Sequence, residues 1–363
     1  MKSIPLFQYM SIKKYFSLFL FCLMQICLLA QQSDKIKGLS LLGPQKADHC
    51  HSIMVDIQDS QANWMALIPQ ATLERKTLTL LFDQPNDWWS QTIPGTIEGI
   101  RAAKKKGFNI MLKPHIILEK VKPKSSTLEQ LLTVLYYTDK TAGADWRGNF
   151  KARNEEDWKI WENNYEEYIL RLAQVAESME VSLFCVGTEL RASTVNRPQF
   201  WRKLIKKVKA IYKGPITYSA NWDEYEQVTF WDELDYIGVN AYFPISNSAT
   251  PQVSNTLKNW QPILQKMQQI SQKYQRKFII TEFGYQNVDY AGHRPWTHHY
   301  QNATPNHQSQ INLYEAFFQS FWSKSWIAGG FLWEWFSQPS SSPDIHFSPQ
   351  NKPAIATLQK WYQ

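Results

Sequence analysis

The chain has 363 residues, 44% apolar and 20% charged, a balance that excludes a disordered or fibrous protein and fits one large barrel or two ordinary domains. The formal net charge is +7, and the first 30 residues hold Lys2, Lys13 and Lys14 with no acids, leaving +4 beyond them. That charge is too small and too scattered to specify a nucleic-acid partner.

In chain order, Lys13 and Lys14 precede the apolar run 15–30, and polar 31–34 follows. A basic start, a short apolar stretch and a small residue read as a secretory signal with cleavage after Ala30. The run is too short for a stable membrane span and contains Gln25. Cys27 raises a lipoprotein alternative, but bulky Ile26 precedes it where a small residue is expected. Export places the protein outside the cytoplasm, secreted, periplasmic or at the cell surface. Cys50 and Cys185 are the cysteines beyond the signal, too few for a disulfide framework. Cys185 lies in an apolar run and reads as a small core hydrophobe.

Apolar strands then alternate with amphipathic helices. Strands are predicted at 38–43, 63–69, 108–116, 182–189, 215–221, 236–242, 277–284 and 328–335. Helices are predicted at 94–106, 155–180, 198–213, 253–274 and 308–323, with shorter ones at 223–234 and 353–362. Strict alternation implies parallel strands with crossover helices, and eight units imply a single-domain (β/α)8 TIM barrel over 35–363. The rival open doubly wound sheet lacks its glycine-rich phosphate loop here. The stretch 117–155 is long for a plain connection and reads as a functional loop.

Catalytic groups of such barrels stand at the C-terminal strand ends. Two predicted strands end there in glutamate: the fourth in Val186-Gly187-Thr188-Glu189 and the seventh in Ile280-Thr281-Glu282-Phe283-Gly284. A carboxylate at the end of a buried strand is costly unless it is paired or used. Two facing carboxylates are what glycoside hydrolysis requires, one as acid and one as nucleophile or base. The bland alternative is two unrelated acids paired with Arg or Lys.

These motifs resemble those of clan A glycoside hydrolases, and most closely family 113, as do Gly329-Gly330-Phe331-Leu332-Trp333-Glu334-Trp335 and the tail Phe347-Ser348-Pro349-Gln350-Asn351-Lys352-Pro353-Ala354. The resemblance covers roughly residues 38 to 362. It implies a retaining β-glycosidase without cofactor, with Glu189 as acid/base and Glu282 as nucleophile, acting on β-1,4-mannan or manno-oligosaccharides. It also implies that Tyr242 hydrogen-bonds the nucleophile and that Trp333 forms an aromatic floor under the reacting sugar. Most clan members carry Asn before the acid/base; Thr188 stands there, which leaves the donor to the sugar 2-hydroxyl unassigned.

Among the remaining polar residues at predicted strand ends, Lys113, His115, Asn221 and Asn240 are candidate sugar-hydroxyl partners. Trp64, Trp146 and Trp222 are candidate subsite aromatics, against the plain alternative that most rings in a chain with 16 Trp and 17 Tyr are core. Glu334 alternates with Trp333 and is expected to point outward in a structural role. His49-Cys50-His51 after the first strand raises a metal-dependent hydrolase, but the fifth and sixth strands supply no histidines to complete it. A non-catalytic carbohydrate-binding barrel is the other rival, and losing either glutamate would be its mark. The expected partner is a polysaccharide or oligosaccharide bound by a monomer; hydrolysis of another β-linked glycan is the alternative within the enzyme class.

Overall fold

The computed structural model describes residues 35–43, 57, 60–119, 146–297, 303–337 and 345–363. The signal segment and His49-Cys50-His51 lie outside the described residues. By contacts the chain divides into Met1–Ile36, which is almost wholly outside them, and Lys37–Gln363.

The strands in chain order are β1 Ile36–Leu42, β2 Trp64–Leu67, β3 Gln70–Leu73, β4 Leu80–Leu81, β5 Asn109–Leu112, β6 His115–Leu118, β7 Leu183–Thr188, β8 Ile216–Asn221, β9 Tyr236–Asn240, β10 Lys277–Phe283 and β11 Ile327–Phe336. The helices are α1 Ile93–Lys105, α2 Glu155–Ser178, α3 Arg191–Asn196, α4 Pro198–Ile211, α5 Val253–Tyr274, α6 His307–Phe321 and α7 Ala354–Tyr362. Strands β1, β2, β5, β7, β8, β9, β10 and β11 close into the expected eight-stranded barrel, and every pairing with a described register is parallel.

Parallel barrel strands are covered on both faces, which explains their unbroken apolar runs. All six residues of β7 are buried, as are the last six of β10. Outside them pack aromatic-rich helices: Trp161 stacks on Tyr165 within α2, and Trp201 of α4 stacks on Phe230 with ring centroids 5.6 Å apart. Helix starts are fixed locally. Thr92, Asn154 and Asn306 each accept a hydrogen bond from an amide in the first turn of α1, α2 and α6, a cap contributing ~1 kcal/mol each.

Four expectations are corrected. The predicted third strand, 108–116, is two strands. The chain leaves the barrel after Leu112, and His115–Leu118 instead pairs with Gln70–Leu73 in a separate three-stranded sheet with β4. Pro114 has no amide hydrogen to continue the ladder and holds Lys113 extended. The short helix expected at 223–234 is a series of turns ending in a 3-10 turn at Trp231–Glu233; the apolar residues that suggested it, Tyr225, Val228, Phe230 and Trp231, are buried without helical pairing. Tyr242 lies two residues past the end of β9 rather than on it. Finally, Trp64 opens β2, paired with Gly38 and Asn109. It sits at the N-terminal strand ends, opposite the mouth where a subsite was expected.

Candidate active site

Glu189 follows β7 directly and Glu282 is the sixth residue of β10. Both strands lose register near these residues. β7 slips against β8 between Cys185 and Thr188, and β10 slips against β9 between Ile280 and Glu282. Such irregularities re-aim a side chain at a barrel rim. Gly284, just beyond, is required by close approach: a Cβ there would stand 2.1 Å from the Trp333 carbonyl oxygen.

Glu282 is 4% exposed and held at both oxygens. Lys113 Nζ, itself fully buried, pairs with Oε1, and the Tyr242 hydroxyl donates to Oε2 at 2.8 Å. Burial above all, then the charge of Glu282 and its hydrogen bond, pushes the Tyr242 hydroxyl well above its ordinary range, so it remains a donor at working pH. Lys113 also lies 5.7 Å from the centre of the Trp333 ring, and His115 stacks on the same ring at 6.1 Å. His115 Nε2 is 3.7 Å from Glu282 Oε1. Burial first, then the charges of Arg147 and Lys113, drives the imidazole well below its ordinary pKa; it is neutral, and this contact is not an ion pair. Among the described residues its buried Nε2 has no hydrogen-bond partner, which leaves it for a group entering the site.

Glu189 has different neighbours. Trp146 Nε1 and Arg147 Nη2 donate to Oε2 at 3.0 and 2.9 Å, and Asn240 Nδ2 donates to Oε1 at 2.8 Å. Asn240 Oδ1 accepts from both Ser219 and Thr281 hydroxyls at 2.8 Å, and its amide nitrogen faces Glu189. Trp146 and Arg147 reach in from the segment before α2. The Trp146 ring folds back over Gly148, where a Cβ would stand 2.3 Å from it. The Arg191 guanidinium lies over the Trp146 ring, 5.3 Å from its centre.

The backbone of Glu189 is itself unusual, with φ +53°, a left-handed conformation costing about 1–2 kcal/mol for a residue with a Cβ. Its amide donates to Ser219 O at 2.8 Å and the Leu190 amide donates to the Tyr218 hydroxyl at 2.6 Å. Tyr218 in turn donates to Glu224 Oε1 at 2.7 Å.

The expected residues therefore converge unequally. Glu189, Glu282, Lys113, His115, Asn240, Tyr242, Trp146 and Trp333 form one contact network. Asn221 ends β8 next to Asn240 in register but donates to Asp223 at 2.9 Å. Trp222 stands at the rim, stacked at 5.2 Å on Trp296, which is 42% exposed. Thr188 turns away, its buried hydroxyl donating to Pro114 O at 3.2 Å. Glu334 is buried, and its charge reaches Tyr242 at the mouth and Tyr314 on α6. Cys185 is a buried free thiol. Among the described residues no group of three or more His, Cys, Asp or Glu is placed to hold a metal ion, and no helix is long and apolar enough to cross a membrane.

Sequence reasoning passed over Arg147, Trp296, Tyr218 and Glu224. Arg147 directly follows Trp146, and its charge beside a candidate subsite tryptophan was the available signal. Glu224 carried a fainter one: an acid three residues past a strand end, in a stretch read as helix.

Comparison with curated proteins finds no significant match. Among solved structures, a family 113 β-mannanase from Alicyclobacillus acidocaldarius in complex with ManMIm superposes with a TM-score of 0.74 at 21% identity, over 90% of this chain and 97% of its own. A second family 113 β-1,4-mannanase gives 0.72 at 21% identity, over 91% and 99%. A β-glucuronidase from Ruminococcus gnavus gives 0.58 at 12% identity, over 91% of this chain but 50% of its own. These likenesses are of fold. The sequence profile of Glycoside Hydrolase Family 113 matches residues 133–350, a span holding Glu189 and Glu282 and well over half of the chain, and on that match this protein belongs to glycoside hydrolase family 113.

Proposed function

We propose that the enzyme hydrolyses β-1,4-mannan or manno-oligosaccharides with retention of anomeric configuration. Glu282 attacks the anomeric carbon while Glu189 gives its proton to the departing glycosidic oxygen. Glu189 then takes a proton from water, which attacks the same carbon and releases the sugar from Glu282. The observation that carries this reading is the unlike setting of two buried carboxylates at one barrel mouth. Glu282 is clamped from within by Lys113 and Tyr242, as a nucleophile in a fixed position requires. Glu189 instead meets Trp146 and Arg147, which arrive from the segment before α2. The two mannanases of similar fold support mannan as the substrate. Trp333 is placed to floor the reacting sugar, His115 and Asn240 to meet its hydroxyls, and the stacked Trp222 and Trp296 to carry a more distant sugar ring.

The test is product analysis on a panel of β-linked glycans, with the first-formed anomer read by proton NMR. Mannan or manno-oligosaccharides are expected to be the best substrates, and the β-anomer is expected to form first. An α-anomer would sink retention, and preference for another β-glycan would move the substrate while leaving the two-glutamate chemistry in place.

The basic and apolar segment before Gln31 supports export. The protein recovered from its native host should begin near Gln31. Recovery from the cytoplasm with Met1 or Met10 intact would overturn this, and a diacylglyceryl group on Cys27 would replace it with lipid anchoring.

A further inference from the structure

Glu224 is fully buried, lies outside the set of residues that face the sugar, and is satisfied at both oxygens. The Tyr218 and Thr194 hydroxyls donate to Oε1 at 2.7 and 2.8 Å, and the Asn221 amide donates to Oε2 at 3.0 Å. Two of these contacts lead back to Glu189. Tyr218 receives the Leu190 amide at 2.6 Å, and Thr194 sits in the short helix α3 whose first turn is bonded to the Leu190 carbonyl. A buried carboxyl of this kind costs stability unless its bonds accomplish something. Here they hold the residues just after a glutamate whose backbone occupies the left-handed region. Burial outweighs these donors and pushes the Glu224 carboxyl up to about 7, with the charge of Glu189 adding to the rise. The charged and titratable groups facing it are Tyr218 from β8 and Glu189 at the end of β7.

We propose that Glu224 is a positioning residue for Glu189: through Tyr218 and the Leu190 amide, and through Thr194 on α3, it fixes the left-handed turn that aims the Glu189 carboxyl at the glycosidic oxygen. The inference rests on the reading of Glu189 as acid/base. Lost aim lowers proton transfer without lowering sugar binding. It matters for a leaving group that needs a proton and not for one that leaves without it.

The experiment compares β-1,4-mannohexaose with 2,4-dinitrophenyl β-mannobioside, in wild type, Glu224→Gln and Tyr218→Phe. On mannohexaose both variants are expected to lose about 10- to 100-fold in kcat with KM within about twofold. On the dinitrophenyl glycoside kcat/KM should stay within about threefold, and azide, which attacks without a general base, should restore lost turnover. Equal losses on both substrates would mean a merely structural role, and no loss on mannohexaose would mean no role; either overturns the proposal. Should Glu224→Gln fail to fold, Tyr218→Phe, which removes one hydroxyl, decides alone. Glu189→Gln run alongside separates the two readings. If it retains mannohexaose turnover, the acid/base assignment itself is wrong. If wild type ignores mannohexaose, the same comparison is made on whichever β-linked oligosaccharide it does cleave and on that sugar's dinitrophenyl glycoside.

Discussion

Glu282→Gln should lose at least about a thousand-fold in kcat, ~4 kcal/mol of transition-state stabilisation, because an amide forms no glycosyl-enzyme. Glu189→Gln should lose a similar factor on natural substrates. The two losses differ in kind. Without its acid, the enzyme still attacks a sugar whose leaving group needs no proton, so Glu189→Gln keeps kcat/KM on an activated aryl glycoside and accumulates glycosyl-enzyme. Without its nucleophile it does neither. A 2-deoxy-2-fluoro glycoside with a good leaving group should label wild-type Glu282 and no other residue, as peptide mass mapping would show. Stability should also differ. Glu189 keeps partly exposed neighbours in Arg147 and Trp146, so its replacement should move the melting temperature little. Glu282→Gln strands the buried Lys113 and should lower it. More than a few per cent of wild-type turnover in either variant, on a good natural substrate, would remove that residue from its role.

The two glutamates were legible because each closes an apolar run that no ordinary strand would end with an unpaired charge. The barrel followed from counting such runs, since eight strand-helix units leave few other closures. What escaped has a physical reason in each case. Hydrophobic periodicity does not distinguish a strand that stays in its sheet from one that changes sheets, so β5 and β6 read as one element although Pro114 marked the break. At 223–234 apolar spacing reported burial, not helix, because turns can bury rings as well. Thr188, standing where most clan members carry Asn, left the donor to the sugar 2-hydroxyl unassigned, and its hydroxyl satisfies the carbonyl of Pro114, a demand created by that same break. Arg147 and Glu224 act through long-range contacts, 42 residues from Glu189 in one case and through an intermediate tyrosine in the other. Strand-end position marked Lys113, but it offered only a sugar-hydroxyl role; the pairing with Glu282 spans 169 residues and needed the folded barrel.

That pairing leads to a second large effect. Lys113→Met keeps the length and apolar stem of the side chain while removing its charge. Taking one partner from a buried ion pair costs about 3–5 kcal/mol, because the other is left uncompensated in a dry site. Activity is expected to fall about 100- to 1000-fold at the wild-type optimum, because the nucleophile loses the buried cation that holds it in position. Tyr242→Phe should act in the same direction and more weakly, as it removes a neutral donor. The double variant Lys113→Met with Glu282→Gln should recover much of the stability lost by either alone, because no buried charge is then left over. Near-wild-type kcat in Lys113→Met would show that Tyr242 and the barrel backbone suffice to hold the nucleophile, and Lys113 would return to the sugar-hydroxyl role its strand-end position first suggested.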